Sequence, residues 1–505
     1  MNALVPLPVI IPLLGAALGV AAAPNRWLQR IIGLLVLTCN AVVSVILLVR
    51  VDDEGMQVTQ AGGWPVPLGI TLIVDRLSAV MLVVSSLMLL SVLVYAIGQG
   101  AEESRYAAFN PVYLVLAAGV SASFITGDLF NLFVAFEMML VASYVLLTLG
   151  GRPGQVRSGM SYVMISLLAS TFFITALALI YAATGTVNMA ELALRMPELS
   201  SGVRVGFSLL LILVFGIKAG LFPLFFWLPD SYPTAPGAIT AVFAGLLTKV
   251  GVYAIIRSQT LLFPPDARQG TLLLVLAGFT MVVGVLGALA QDDLRRMLSF
   301  HIVSHIGYMI FGLASFTLAG VAGAVFYTVH HIVVKTALFL VAGLVERRAG
   351  SDRLSRIGGL VRSAPMIAVL FALPALSIAG LPPFSGFVGK FALVDAGIQS
   401  KEWVLVAVSL SVGLLTMFVM VRIWSGAFWG EPGDPAIAAF IESPEGRVPH
   451  LMTVSATVVV GLSVALMIFA GPLYDYAERT ADDLLHPRRY VEAVLGPTAE
   501  DGDGS

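Results

Sequence analysis

The sequence predicts an all-α polytopic membrane protein with about fourteen transmembrane helices. Of its 505 residues, 58% are hydrophobic and only 11% are charged, whereas a soluble domain carries about 25% charged residues. Apolar segments of roughly 20 residues, long enough to cross a bilayer core, recur along almost the whole chain. Because these segments do not alternate between polar and apolar residues, they favour helices over the strands of a closed barrel.

The predicted helices are taken in chain order from the apolar runs. Their predicted first residues are Leu4, Ile31, Thr71, Phe109, Leu129, Met160, Val205, Thr234, Gly270, Met297, Leu318, Ala364, Trp403 and Leu451. The chain is expected to divide into three N-terminal helices (1–107), a five-helix repeat (108–258), a second, inverted five-helix repeat (259–429), and a segment with a loop, the last helix and a polar tail (430–505).

The two repeats are inferred from two proline-broken helices. The fourth predicted helix begins near residue 109 and the ninth near residue 270, and the broken seventh and twelfth helices are offset by a similar distance. The broken segments read FGIKAGLFPLFFWLPDSYPTAP and FALPALSIAGLPPFSGFVGKFALVDAG. Because five is an odd number, the second copy must lie upside down in the membrane. Paired broken helices in inverted halves are typical of transporters and indicate an ion site near the midplane.

Basic residues in the loops predict the orientation of the chain. With the N-terminus outside the cell, thirteen Lys and Arg residues fall in cytoplasmic loops and six in external loops. Five of the thirteen lie in the loop from Glu346 to Arg362. Because cytoplasmic loops carry an excess of Lys and Arg, this loop is predicted to face the cytoplasm.

The composition argues against several classes of function. A net charge of −2 leaves no basic footprint for nucleic acid. Cys39 is the single cysteine, so an internal disulfide is impossible, and its place in an apolar run is interpreted as a small buried hydrophobic side chain. No pattern predicts a cofactor or a metal centre.

Lysine is segregated from arginine along the chain. Arginine falls mostly in loops, whereas four of the five lysines fall inside predicted spans: Lys218, Lys249, Lys335 and Lys390. An ionised side chain at the bilayer centre costs roughly 2.5 to 3.5 kcal/mol, so four such residues indicate a function. A buried lysine can lose and regain a proton, whereas arginine stays protonated. The four lysines therefore predict a proton path.

Acidic residues are rare inside the spans. Glu137 is predicted near the middle of its span and is expected to pair with a lysine of the same half. Asp128 is interpreted as a helix-end acid near the positive end of the helix dipole. Asp75 and Arg76 are interpreted as a pair at the end of a span.

Histidines supply further relay candidates. His301 and His305 are spaced i, i+4 and share a helix face. His331 and Lys335 have the same spacing, with His330 beside them. Because imidazole changes its charge near neutral pH, these side chains suit proton transfer between lysines.

Three functions are open at this point. The first is an ion transporter that moves protons along the lysines, the glutamate and the histidines. The second is a haem-carrying redox protein with histidine axial ligands, an interpretation that the six histidines allow but that leaves the lysines unexplained. The third is a scaffold subunit whose charges are vestigial.

Four stretches resemble a known family. They read FGIKAGLFPLFFWLPDSYPTAPGAITAVFAGLLTKVGVYAIIR, SFHIVSHIGYMIFGL, HHIVVKTALFLVAG and LSIAGLPPFSGFVGKFAL. They are similar to the antiporter-like subunits of respiratory complex I, membrane hydrogenases and multisubunit Mrp-type Na+/H+ antiporters, and the similarity runs through most of the chain. Within that family, the stretches LVPLPVIIPLLGAALGV, GGWPVPLGITLIVDRLSAVML and GLLTKVGVYAIIRSQTLLF most resemble the D-type subunits of Mrp antiporters.

The resemblance implies a proton-translocating subunit of a multisubunit Na+/H+ antiporter, with no enzymatic chemistry and no cofactor. It implies a multi-pass protein of the bacterial cell (inner) membrane that exchanges protons for Na+ or another monovalent cation. Other antiporter subunits in a heteromeric membrane complex are the implied partners. A proton-pumping subunit of a complex I or membrane hydrogenase assembly is the alternative.

The resemblance also implies roles for single residues. Glu137 and Lys218 would form the coupled pair of the first half. The remaining route would run in order through Lys249, His331, Lys335 and Lys390. Its last lysine would be the distal exit.

Overall fold

The computed structural model of the chain describes residues 3–100, 103 and 105–496. Its N-terminal part has the helices α1 (Leu7–Ala21), α2 (Arg26–Glu54) and α3 (Arg76–Gln99). Between α2 and α3, the strands β1 (Gln57–Gln60) and β2 (Thr71–Val74) form an antiparallel hairpin. The apolar pattern predicts no strand and begins the third helix at Thr71. The run Thr-Leu-Ile-Val is rich in β-branched residues, which favour the strand observed there.

The next block of the chain corresponds to the first predicted repeat. Its helices are α4 (Phe109–Ile125), α5 (Leu129–Thr148), α6 (Pro153–Thr184), α7 (Met189–Arg195), α8 (Ser201–Ala219), α9 (Trp227–Ser231) and α10 (Gly237–Leu261). A π-helical stretch, Phe243–Leu247, interrupts α10. Helix α10 ends at Leu261, slightly beyond the predicted boundary at residue 258.

The following block corresponds to the second predicted repeat. Its helices are α11 (Gly270–Leu289), α12 (Leu294–Ala314), α13 (Leu318–Ala349), α14 (Leu360–Ser363), α15 (Pro365–Ala379), α16 (Ser385–Gln399) and α17 (Trp403–Ala427). The twelfth predicted helix is divided into α15 and α16, as its glycines and prolines indicated.

The C-terminal part is more helical than the sequence indicated. It has the helices α18 (Pro435–Glu442), α19 (His450–Ile468), α20 (Ala470–Leu485) and α21 (Pro487–Leu495). Residues 470–495 of the predicted polar tail form α20 and α21, which bury one face each and are too short and too polar to be recognised as spans. Residues 497–505 of that tail lie outside the described residues.

The helices confirm the predicted fold class. Eleven helices of the described chain are long and apolar enough to cross a membrane, and three shorter apolar helices, α1, α4 and α15, occupy the other predicted positions. Each predicted segment therefore contains a helix.

The prediction for Cys39 was wrong. Its side chain is exposed, because α2 lies at the periphery of the bundle, where a residue in an apolar run can face outward.

The helices before the two breaks, α8 and α15, end with the same backbone conformation. Helices α8 and α15 each end at an alanine, and Gly220 (φ 82°) and Gly380 (φ 86°) follow in the left-handed region. The next residue then turns back, since Leu221 N donates to Gly216 O (3.0 Å) and Leu381 N to Leu376 O (3.3 Å). Glycine ends helices in this way because it has no Cβ to clash at positive φ.

Candidate functional site

Three central helices carry most of the candidate residues. The most apolar stretches of α10, α12 and α13 are 100%, 94% and 100% buried, respectively. A helix that is apolar all round belongs in the interior of a bundle. The side chains of Lys249, His301, His305, His331 and Lys335 lie on these helices and are fully buried.

Glu137 on α5 and Lys218 on α8 are half-buried and lie near each other. Ser170 on α6 donates a hydrogen bond to the Glu137 carboxylate. Among the described residues no ion pair joins Glu137 to Lys218, although Glu137 is the charge that acts on this lysine electrostatically. The two expected partners therefore lie within electrostatic range of each other and form no ion pair among the described residues.

The end of α8 packs tightly against α10. A Cβ atom on Gly251 would lie 2.5 Å from Ala219 N and 2.9 Å from Lys218 C, so the two backbones meet directly. The break beside Lys218 is held by side chains, since Trp227 Nε1 donates to Ile217 O at 3.0 Å. This packing brings the backbone of Lys218 against α10 at a position two residues from Lys249.

Lys249 is the second residue after the π-helical stretch of α10. Its Nζ donates a hydrogen bond to Ala244 O, inside that stretch. A π turn changes the hydrogen-bond pattern of a helix and often occurs at functional sites. The stretch also approaches α13 closely, because a Cβ on Gly245 would lie 2.3 Å from Thr336 Oγ1. Nothing in the sequence around Lys249 indicated this distortion.

Lys335 on α13 pairs with a histidine of α12. Lys335 Nζ and His301 Nδ1 share a hydrogen bond of 2.8 Å, and Nζ also donates to Leu298 O at 3.4 Å. His301 Nε2 has no partner among the described protein atoms. The pair therefore retains a free nitrogen through which a proton can pass.

A cluster of rings continues from this pair. The ring centroids of His301 and His305 are 4.4 Å apart, and those of His305 and His331 are 5.3 Å apart. His305 Nδ1 and the Tyr327 hydroxyl share a hydrogen bond. His331 lies within electrostatic range of Lys249, and neither of its ring nitrogens has a partner among the described protein atoms. His331 thus lies between α10 and the remaining histidines.

The far end of the cluster reaches the second helix break. His330 Nδ1 and Ser385 Oγ, at the start of α16, share a hydrogen bond of 2.9 Å. Lys390 on α16 is half-buried and donates to Ala379 O, the last residue of α15, at 3.1 Å. Its Nζ lies 5.3 Å from the centroid of the Tyr308 ring. The basic groups therefore extend from α10 to the break between α15 and α16.

Sequence reasoning missed several members of this site. Tyr327 lies four residues before His331, and Tyr308 three residues after His305, so helical spacing could have identified both. Ser170 and Ser385 come from other helices, and no local signal distinguishes them from other buried serines.

The acids at the helix starts were predicted with mixed success. Asp128 caps α5 by accepting a hydrogen bond from Asn131 N at 2.8 Å, as predicted. Asp75 does not pair with Arg76. It pairs instead with the buried Arg257 of α10 at 2.7 Å. Sequence neighbours at a helix start point in different directions, whereas packing brings α3 and α10 together.

The histidine geometry does not favour the haem hypothesis. The imidazoles of α12 and α13 contact one another, and Tyr327 stacks on His305 with a centroid distance of 5.8 Å. Rings that lie this close to one another leave no room for a porphyrin between two axial nitrogens.

Comparisons with known proteins agree with the resemblance seen in the sequence. A family model described as "NADH:quinone oxidoreductase/Mrp antiporter, TM" matches residues 126–416. The D subunit of the Na(+)/H(+) antiporter of Alkalihalophilus pseudofirmus is 43% identical over 98% of this chain and 100% of that protein. The protein of the same name from Bacillus subtilis is 37% identical over 98% of this chain and 100% of that protein.

Solved structures are similar over nearly the whole chain. A chain of the Mrp complex from Dietzia sp. has a TM-score of 0.90 and 34% identity, covering 98% of this chain and 100% of its own length. A chain of respiratory complex I from Thermus thermophilus has a TM-score of 0.79 and 26% identity, covering 95% of this chain and 99% of its own length. The chain belongs to the membrane-subunit family shared by NADH:quinone oxidoreductase and the Mrp antiporter, and within that family to the D subunits of Na+/H+ antiporters.

Proposed function

We propose that this chain is the proton-translocating subunit of a multisubunit Na+/H+ antiporter in the bacterial cell membrane. The observation that carries the proposal is the buried array of basic side chains running from Lys249 to Lys390 across α10, α12, α13 and α16. Burying several ionisable groups in a membrane protein is costly, and such groups mark ion and proton pathways. A subunit of this kind performs transport and needs no enzymatic chemistry.

The order of the groups supports a route for protons. A proton on Lys249 would pass by way of His331 to the Lys335–His301 pair, because His331 lies within electrostatic range of both lysines. His305, Tyr327 and His330 would continue the route, and their free nitrogens and hydroxyl groups can exchange protons with water. Lys390 at the second break would be the distal exit.

The first predicted repeat, which carries Glu137 and Lys218, would control how protons enter this route. We infer that Glu137 and Lys218 make and break an ion pair, and the observed arrangement, which has no ion pair between them among the described residues, represents its open form. When the pair opens, the lysine loses the carboxylate that favours its charged form, so its proton moves on toward Lys249. The irregular backbone at Gly220 gives Lys218 room to change position.

The same reasoning assigns an architecture to the two halves. Residues 108–258 and 259–429 would be inverted repeats, each with one broken helix, and the matching ends of α8 and α15 support this. The Na+ route is not assigned to this chain, because a hard cation takes several oxygen ligands. Partner subunits of a heteromeric complex would provide such ligands, in agreement with the names of the antiporter relatives.

The test compares a buried lysine with an exposed one. Everted vesicles are prepared from cells that express the full set of antiporter subunits, and Na+-induced collapse of ΔpH is recorded. Lys335→Ala should abolish exchange because it removes the partner of His301. Lys401→Ala, in the loop before α17, should exchange at the wild-type rate. Assembly of each variant is checked by co-purification of the partner subunits. Wild-type exchange by an assembled Lys335→Ala complex would favour the scaffold function.

A proton-pumping subunit of a complex I or membrane hydrogenase assembly is the second candidate. The likeness to respiratory complex I favours it, but at lower identity and TM-score than the likeness to the Mrp complex. Assembled vesicles without any Na+-dependent exchange would support this candidate over the first.

A further inference from the structure

Two adjoining cavities lie at the arginine-rich end of the helix bundle. The first has a volume of about 490 Å³ and is lined by Arg348, Arg362 and Arg447. The second is an apolar groove of about 410 Å³ between α15 and α17, lined by residues that include Phe371 and Trp429. The first takes no part in the proton route described above, and the second meets that route only at Ala379, whose carbonyl accepts the hydrogen bond of Lys390.

The arginines of the first cavity come from three separate segments. Arg348 lies in the last turn of α13, Arg362 in α14, and Arg447 in the loop before α19. Arg348 is fixed in place, because it donates to Gly446 O (3.2 Å) and Ser363 O (3.1 Å). The fold therefore holds three cationic groups around one cavity.

Two of the three arginines, Arg362 and Arg447, are exposed and lack an ion-pair partner among the described residues. The neighbouring Arg356 differs, since it pairs with Asp434, and its hydrogen bond lowers the pKa of that carboxyl. Glu431 is the acidic residue of the cavity lining. Among the lining residues that the structure describes, arginines thus outnumber acidic side chains.

The cavity lies at the level where long apolar helices of the bundle begin and end. Helices α13 and α17 end there, and α15 and α19 begin there. Trp429, beside the cavity, is 55% exposed, and tryptophan is enriched where the bilayer core meets the headgroups. An occupant of this cavity would therefore lie among lipid headgroups.

The groove begins beside the cavity and runs toward the middle of the bundle. Trp429 lines the groove, and the next two residues, Gly430 and Glu431, line the cavity. The groove continues along α15 to Leu381, at the break between α15 and α16. Its apolar lining suits a hydrocarbon chain and is unsuited to a soluble ion.

We propose that this end of the chain binds one anionic phospholipid, with its phosphate against Arg362 and Arg447 and one acyl chain in the groove along α15. Arginine presents paired N–H donors that match phosphate oxygens. Basic pockets between helices at the cytoplasmic surface are suited to acidic headgroups. The proposal does not depend on the transport activity proposed above, because Arg362 and Arg447 take no part in the proton route.

The test measures lipid retention by the assembled, detergent-purified complex. Native mass spectrometry counts the phosphatidylglycerol molecules that remain after washing, with phosphatidylcholine as the neutral comparison. The double variant Arg362→Gln/Arg447→Gln should lose one tightly bound phosphatidylglycerol, with affinity reduced at least about tenfold, since two charge-assisted hydrogen bonds are removed. Arg488→Gln, an exposed arginine on α21, is the control and should retain it.

Further measurements distinguish a bound lipid from a small anion and from a protein interface. Ala372→Trp, which fills the groove, should weaken retention while leaving the arginines intact. Inorganic phosphate should not displace the lipid. Unchanged retention in the double variant would overturn the proposal, as would full displacement by inorganic phosphate, which would indicate a site for a small anion. Loss of a partner subunit from the double variant with retention unchanged would indicate a protein interface and would also overturn it. Thermal unfolding of each variant checks that it is folded.

Discussion

Gly251 offers a direct test of how closely α8 and α10 must pack. A methyl group there would lie 2.5 Å from Ala219 N and 2.8 Å from Ala219 Cα, whereas ordinary contacts begin at 3.4 Å. Because both obstacles are backbone atoms, no rotamer change can relieve the clash. In Gly251→Ala the two helices must move apart by about 1 Å.

The expected cost follows from this distance. Overpacking in a close-packed interior costs about 1 to 3 kcal/mol. Replacing a helical glycine with alanine offsets about 0.5 to 1 kcal/mol of this cost, because alanine lowers the conformational entropy of the unfolded chain. We therefore expect Gly251→Ala to destabilise the protein by about 1 to 2 kcal/mol. We also expect slower exchange, since a 1 Å misplacement of reacting groups can cost on the order of 100-fold in rate.

Gly206 in α8 is the matched control, because a Cβ there would meet no atom within 4 Å. Gly206→Ala should be neutral or slightly stabilising. The assays are thermal unfolding of the purified complex at a single scan rate and Na+-dependent collapse of ΔpH in everted vesicles. If Gly251→Ala unfolds at the same temperature as Gly206→Ala and exchanges at the wild-type rate, close packing at Lys218 is not required.

Three other predictions concern orientation and proton transfer. Ser351→Cys in a Cys39→Ala background should resist impermeant thiol reagents added outside intact cells, and rapid labelling from outside would reverse the proposed orientation. Lys249→Arg should assemble but lose exchange, because a guanidinium does not release its proton; wild-type exchange would mean that charge alone is needed there. Glu137→Ala and Lys218→Ala should each abolish Na+/H+ exchange in everted vesicles. Their effects in the double variant should be strongly non-additive, whereas additive effects would show that the two residues act separately.

The positions of the long apolar helices could be predicted from the sequence because each depends on local composition. A run of apolar residues must form its own backbone hydrogen bonds in a bilayer, so its length and hydropathy suffice to identify a helix. The breaks after Ala219 and Ala379 follow equally from local chemistry, since each alanine is followed by Gly, Leu and a nearby proline. The placement of Lys249 and Lys335 inside spans likewise required only their neighbours in sequence.

The partners of these residues depend on packing between distant segments. The bond between Lys335 and His301 joins residues 34 positions apart, and the ion pair of Asp75 and Arg257 joins residues 182 positions apart. The π-helical stretch before Lys249 has no local signal, and the strands of the hairpin from Gln57 to Val74 are too short for a pattern of apolar spans to indicate them.

The sequence by itself therefore determined which segments lie in the membrane and which ionisable side chains they carry. The tertiary structure alone decided that Glu137 accepts a hydrogen bond from Ser170 and forms no ion pair with Lys218 among the described residues, and that Lys335 meets His301. The physical reason is that partition into a bilayer depends on the residues of one segment, whereas the partner of a buried polar group depends on which helices meet and on how closely glycines such as Gly245 and Gly251 let them approach.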